Sequence, residues 1–239
     1  MTSLHRIRRR PESEAQPIKR RVIDWAFART GARSFADLGG LWAVNGAYTF
    51  HALEHHQVER GCLVDEAYWS DAATRSARRH PQLELVQGNF GDPAIRDRVG
   101  EVDAVFLFDV LLHQVGPDWD EILAMYAESA RCLCIVNPQW TAGPETVRLV
   151  DLGREEFIAS VPAQSNHDEL FDRLDEIHPD HGRPHRDVHE IWQWGIVDED
   201  LVGRLADLGF ALAYYENLGP WQGLERFENH GFVFLRDPA

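Results

Sequence analysis

From residue 33 to residue 138, apolar runs of strand length alternate with stretches of helix length five times over. The runs are SFADL (34–38), CLVD (62–65), LELVQGNF (83–90), DAVFLFDV (103–110) and CLCIVN (132–137). They read as continuous apolar segments, not as apolar and polar residues in turn. Such strands are buried on both faces, which demands a parallel sheet covered by helices above and below. The stretches between them, GAYTFHALEHHQ, AYWSDAATRSARRH, DPAIRDRV and WDEILAMYAESA, supply the crossover helices. An earlier amphipathic helix is predicted over 17–30, with Ile18, Val22, Ile23, Trp25, Ala26 and Phe27 inward and Gly31 as its stop.

After residue 138 the alternation fails. Residues 139–195 are richer in charge, His and Pro, with helical patches at PETVRLVDLGREEFIAS and NHDELFDRLDEI. Regularity returns at DEDLVGRLADLGF, a helix with Leu201, Leu205 and Leu208 on one side. ALAYYENL and GFVFLRD then read as two strands, joined by GPWQGLERFENH. That connection is too short for an ordinary crossover helix, so an antiparallel terminal pair is expected. The fold class is thus α/β: a Rossmann-like doubly wound sheet, mostly parallel, with an antiparallel terminal strand and helices on both faces.

Charge narrows the partners. Lys plus Arg number 24 against 39 Asp plus Glu, a formal net charge of −15. An acidic surface repels phosphate backbones, which disfavours nucleic acid. The basic residues of HRIRRR and IKRR at the N-terminus read as a solvated tail and a helix start. Cys62, Cys132 and Cys134 are too few for a disulfide framework and suit a reducing compartment. The C-x-C of Cys132 and Cys134 lies in an apolar run and reads as strand core. No apolar run reaches the roughly 18 residues of a membrane span, and no signal peptide is visible. A cytoplasmic protein is expected.

In a doubly wound sheet, ligands bind beyond the carboxyl ends of the strands. Strand one ends at Asp37, followed by Gly39 and Gly40; strand two ends at Asp65; strand three ends at Asn89 and Phe90; strand four ends at Asp109. Each group suits a nucleoside. The glycines allow close backbone approach. A carboxylate after strand two can accept both ribose hydroxyls. An amide beside an aromatic can read and cover an adenine edge. Leu41 and Ala43 stand where a pyrophosphate-binding turn would have glycines, so the ligand should lack a pyrophosphate.

Taken in order, these features resemble the class I S-adenosylmethionine-dependent methyltransferases, by motif over about 33–138 and by strand order to the C-terminus. DLGGLWAVNG keeps the Asp and first Gly of the family's first motif and departs from it at Leu41 and Ala43. The ribose-binding acid falls on Asp65 in LVDEAYW, the adenine contacts on Asn89 and Phe90 in QGNFGD, and the fourth motif on VDAVFLFDVLLH. The resemblance implies S-adenosylmethionine as cofactor, held by Asp37, Gly39, Gly40, Asp65, Asn89, Phe90 and Asp109. It implies methyl transfer to an O or N atom of a small-molecule acceptor. The chain then divides into a basic tail (1–16), a cofactor-binding core (17–138), a helical insertion covering the substrate (139–195) and a C-terminal helix with a strand pair completing the core (196–239).

His113 lies four residues past Asp109 and is the candidate general base, with packing as the equal alternative. The late histidines His167, His178, His181, His185 and His189 match no zinc spacing and are broken by Pro179, Gly182 and Pro184, so no metal is expected there. Trp192 and Trp194, two apart, read as packing before they read as a wall for an aromatic substrate. Three other functions stay open: an NAD-type oxidoreductase, a non-catalytic or regulatory protein on a degenerate nucleotide fold, and a nucleic-acid methyltransferase resting on the basic tail. A homodimer is also left open, and no membrane partner is expected.

Overall fold

The computed structural model describes residues 16–42, 44–67, 69–164, 167–221 and 223–236. The basic tail expected over 1–16 lies outside them except for Gln16, and so does Ala43 of the glycine turn.

The chain opens with α1 (Pro17–Thr30) and then alternates: β1 (Ser34–Leu38), α2 (Ala47–His55), β2 (Arg60–Asp65), α3 (Asp71–Ala77), β3 (Leu83–Gln87), α4 (Pro93–Val99), β4 (Val102–Phe108), α5 (Trp119–Ala127) and β5 (Ala130–Trp140). Next come the two-residue strand β6 (Val147–Arg148), the short helices α6 (Arg154–Ser160) and α7 (His167–Asp172), and β7 (Trp194–Gly195), which pairs with β6. The chain closes with α8 (Asp198–Asp207), β8 (Phe210–Trp221) and β9 (Leu224–Arg236).

Seven strands form one sheet in the order β3-β2-β1-β4-β5-β9-β8. β1 to β5 run parallel; β9 is antiparallel to β5 and to β8. This is the doubly wound arrangement expected from the apolar runs. The order reverses between β1 and β4, and a crevice opens at such a reversal.

One face of the sheet packs on α1 and α2. Ile18, Val22, Ile23 and Phe27 meet Phe35, Phe106, Cys132, Cys134 and Val233 there. Cys132 and Cys134 are therefore core strand residues, as their run suggested. The other face packs on α5 and α8 through Ile122, Leu123, Tyr126, Leu201 and Leu205. α5 starts at a capping box, in which Asp118 N–H donates to Glu121 Oε2 at 2.8 Å. A third apolar cluster lies over the strand ends. It joins Leu112, Trp140, Phe157, Ile191, Trp192 and Phe227.

Two features differ from the sequence reading. Most of GPWQGLERFENH is strand, not connection: pairing continues to Trp221 opposite Leu224. Backbone ladder bonds do not depend on side-chain pattern, and an edge hairpin exposed on one side tolerates the polar and Gly-Pro residues that looked like a loop. β5 likewise runs on to Trp140, so the chain leaves the sheet only at Thr141, and its following segment is mostly turns with short helices.

Candidate functional site

The turn after β1 is set by two glycines for two different reasons. Gly39 has φ +74°, and a Cβ there would meet Val110 Cγ1 at 2.7 Å. Its N–H donates to the Val64 carbonyl at 2.8 Å, which ties the turn to β2. At Gly40 a Cβ would lie 2.3 Å from Asp37 Oδ2, so the carboxylate rests against the turn itself. Asp37 is 1% exposed. Its Oδ2 accepts from the Thr49 hydroxyl of α2 at 2.5 Å, and its Oδ1 has no partner among the described residues. Burial pushes the Asp37 carboxyl up to about 6, against the Thr49 hydrogen bond.

Asp65, at the end of β2, accepts the Leu41 N–H on Oδ2 and the Ala67 N–H on Oδ1, both at 2.9 Å. It thus braces the turn that Leu41 belongs to. Each oxygen retains a further lone pair for a ligand. Burial raises its pKa, opposed by these backbone donors. Asn89 Oδ1 accepts the Gly91 N–H at 2.7 Å, leaving its amide NH2 as the group able to donate. The Phe90 carbonyl accepts the Tyr126 hydroxyl of α5 at 2.8 Å.

Gly39, Asp65, Glu66, Asn89, Phe90, Gln114 and His189 line one cleft of about 120 Å³. The structure therefore brings Gly39, Asp65, Asn89 and Phe90 together. Asp37 and Gly40 stand behind the turn, and Asp109 and His113 are not on the cleft wall. Glu66, Gln114 and His189 were missed by sequence reasoning. Glu66 adjoins a strand end and was within reach of it. Gln114 and His189 come from distant segments with no shared motif.

Asp109 follows β4 at φ +55°, a left-handed conformation costly for a non-glycine residue. Lys19 of α1 pairs with its Oδ2 at 2.5 Å. On neighbouring β5, Asn137 and Gln139 are buried, yet Asn137 Oδ1 and both polar atoms of the Gln139 amide lack a partner among the described residues. Asn137 Nδ2 donates to the Pro138 carbonyl at 2.8 Å. Buried polar atoms without a partner are costly, so three of them on two residues of one strand suit a polar neighbour.

His113 ends a 3-10 turn, Leu111–His113. Its Nδ1 lies 2.8 Å from the Ile191 carbonyl. A carbonyl only accepts, so Nδ1 carries the proton and Nε2 keeps its lone pair. Burial lowers the pKa of the ring, against the Ile191 hydrogen bond and the nearby Asp109 carboxylate. Of the late histidines, only His189 reaches the cleft wall. Trp192 packs at 5.0 Å on Phe227, and Trp194 Nε1 donates to the Gln114 carbonyl at 2.6 Å.

No protein-family model and no curated protein matches the chain. Solved structures do. An O-methyltransferase family protein from Burkholderia thailandensis aligns with a TM-score of 0.57 at 20% identity, over 94% of this chain and 56% of that one. The N-terminal domain of EvdMO1, solved with S-adenosylhomocysteine and D-fucose, gives 0.59 at 15% identity, over 94% and 84%. The Burkholderia thailandensis 1,6-didemethyltoxoflavin-N1-methyltransferase, with 1,6-didemethyltoxoflavin and S-adenosylhomocysteine bound, gives 0.56 at 14%, over 92% and 79%. The chain spans little more than half the length of the first of these. The architecture is the class I S-adenosylmethionine-dependent methyltransferase fold.

Proposed function

We propose that this protein transfers the methyl group of S-adenosylmethionine to an O or N atom of a small molecule. The observation that carries this reading is the convergence of Gly39, Asp65, Asn89 and Phe90 on one cleft at the carboxyl edge of a sheet of this fold. The residues fit the cofactor. The Gly39–Gly40 turn packs so closely on Val110 and Asp37 that neither position has room for a Cβ, and at Gly39 it presents bare backbone to the cleft. Asp65 and Glu66 offer carboxylate oxygens for ribose hydroxyls, the Asn89 amide offers a donor for a ring nitrogen of adenine, and Phe90 gives an apolar contact. The buried carboxylate of Asp37 biases the turn toward the cationic end of the cofactor.

When bound, the cofactor supplies a methyl group on a sulfonium, activated for direct displacement. The chain's own contribution is orientation and exclusion of water. His113 accepts the acceptor's proton on Nε2 while its Nδ1–H stays on the Ile191 carbonyl. A lowered pKa keeps the ring neutral at pH 7 and able to do so. Asn137 Oδ1 and the Gln139 amide, which lack partners among the described residues, are the groups offered to the acceptor's polar atoms. The segment 141–195, through the cluster of Trp192, Phe157 and Ile191, closes the site from above and selects the acceptor.

Calorimetric titration with S-adenosylhomocysteine and with NAD tests the reading. One equivalent of S-adenosylhomocysteine should bind while NAD does not. Binding of NAD in preference would overturn it.

A further inference from the structure

Away from the cleft, three ligating side chains meet on the α1–α2 side of the sheet. Asp24 Oδ1, from α1, lies 2.7 Å from His51 Nε2 and 2.8 Å from His56 Nε2. One ligand atom from each residue falls within 4.8 Å of both others. We propose that Asp24, His51 and His56 form a binding site for a late first-row divalent ion such as Zn²⁺, clipping α1 to α2.

The chemistry of the donors fits. Two imidazoles and one carboxylate match the ligand types that such ions take, with a fourth position left for water. The three ligand atoms already lie within 4.8 Å of one another. Ligands about 2.0–2.1 Å from a tetrahedral centre stand about 3.3 Å apart. The present N···O separations must therefore open by about half an ångström. In the unfilled site both Nε2 atoms donate to Asp24 Oδ1, a carboxylate oxygen that only accepts. Ligation through Nε2 therefore breaks these two hydrogen bonds and moves each ring proton to Nδ1, so the ion exchanges them for three metal–ligand bonds.

The rings are held before any ion arrives. His56 packs on Phe27 with ring centroids 4.6 Å apart. His51 stacks on His55 at 4.4 Å, and His55 Nδ1 bonds the His51 carbonyl at 3.0 Å. The spacing concealed the site. Residues five apart do not share a helix face. Here α2 ends at His55, and His56 adopts an extended conformation (φ −127°, ψ 162°) that brings its ring beside that of His51. By contrast, the His178, His181 and His185 rings cluster without gathering three ligand atoms in this way.

The test is calorimetry of the chelator-treated full chain with Zn²⁺, alongside thermal melting. The unmodified chain should bind one equivalent and melt higher with the ion, because the unfolded chain lacks the site. His51→Gln with His56→Gln should weaken binding about 100-fold or more, beyond the 10–100-fold typical of residues that only orient ligands. Asp24→Asn, at a half-exposed position, should also weaken it, with its melting temperature without the ion showing that it folds. His181→Ala with His185→Ala should leave it intact. The proposal fails if binding in the unmodified chain does not exceed that of the paired glutamine variant, or if Asp24→Asn binds Zn²⁺ with unchanged affinity.

Discussion

Lys19 and Asp109 stand 90 residues apart in sequence and 2.5 Å apart in space. The pair joins the first turn of α1 to the loop that leads to His113. Lys19 is buried and lies over the Tyr48 ring at 5.1 Å, whereas Asp109 keeps some solvent contact. Removing the ammonium leaves a carboxylate already held in a left-handed backbone. Lys19→Met should cost about 2–4 kcal/mol by chemical denaturation, less than a wholly buried pair. Asp109→Asn in that background should restore part of the loss. Strictly additive losses would mean that the two groups do not interact.

Under the proposed function, Asp65 and Glu66, both on the cleft wall, are the two candidates for the ribose hydroxyls. Asp65 also braces Leu41, so Asp65→Ala should loosen the turn and weaken S-adenosylhomocysteine binding by about tenfold to a hundredfold, consistent with hydrogen bonds to a charged group. Glu66→Gln touches no backbone brace. If Glu66 holds a hydroxyl, it should lose affinity without losing melting temperature. Unchanged affinity in a folded Asp65→Ala protein would remove Asp65 from the site.

Turnover should depend on a neutral His113. Its pKa is displaced below the ordinary 6.5 by burial, so activity should rise with pH through a midpoint below that value. His113→Ala should lower turnover by roughly a hundredfold or more and flatten the acid limb, with affinity for S-adenosylhomocysteine preserved. If instead the ring only packs, melting temperature should fall while turnover per folded molecule holds.

Asp37 predicts a pH-dependent cost. Its carboxyl has an ordinary value of 3.8 and sits at about 6 in the fold. Well below pH 3.8 it is protonated in both states and costs nothing. As pH rises through 6, the folded chain must hold a buried carboxylate that the unfolded chain keeps in water. The shift corresponds to about 3 kcal/mol lost between pH 4 and pH 7. Asp37→Asn should therefore gain stability relative to the unmodified chain over that interval. Parallel stability profiles for the two proteins would contradict the raised pKa.

The strands were the most readable part of the chain, because burial on both faces leaves an apolar run no other explanation. The hairpin is longer than its sequence pattern suggests: Gly219 and Pro220 read as a loop, yet β8 runs through them to Trp221, and Gly223 alone of the three glycine and proline positions lies outside the strands. At the cleft, Asp65, Asn89 and Phe90 are legible because Asp65 ends β2 and the other two follow β3 within three residues. His189 could not, since it arrives through a segment whose path no local pattern encodes. The Lys19–Asp109 pair is hidden for the same reason: nothing in IKRR distinguishes the lysine that will be buried. Asp65 bracing Leu41 is equally silent in the sequence, although it explains how a turn without the later glycines keeps its shape.

The hairpin lies against α1. Arg21 pairs with Glu216 at 2.6 Å, and Asn229 Nδ2 donates to Gln16 Oε1 at 3.4 Å, so the partners are separated by about two hundred residues. During synthesis at roughly 5–20 residues per second, α1 leaves the ribosome some 10–40 seconds before its neighbours exist. Over that interval Ile18, Val22 and Ile23 have no β9 to cover them. A nascent chain of this protein should be a good client for a ribosome-associated chaperone, and a stalled one a poor survivor.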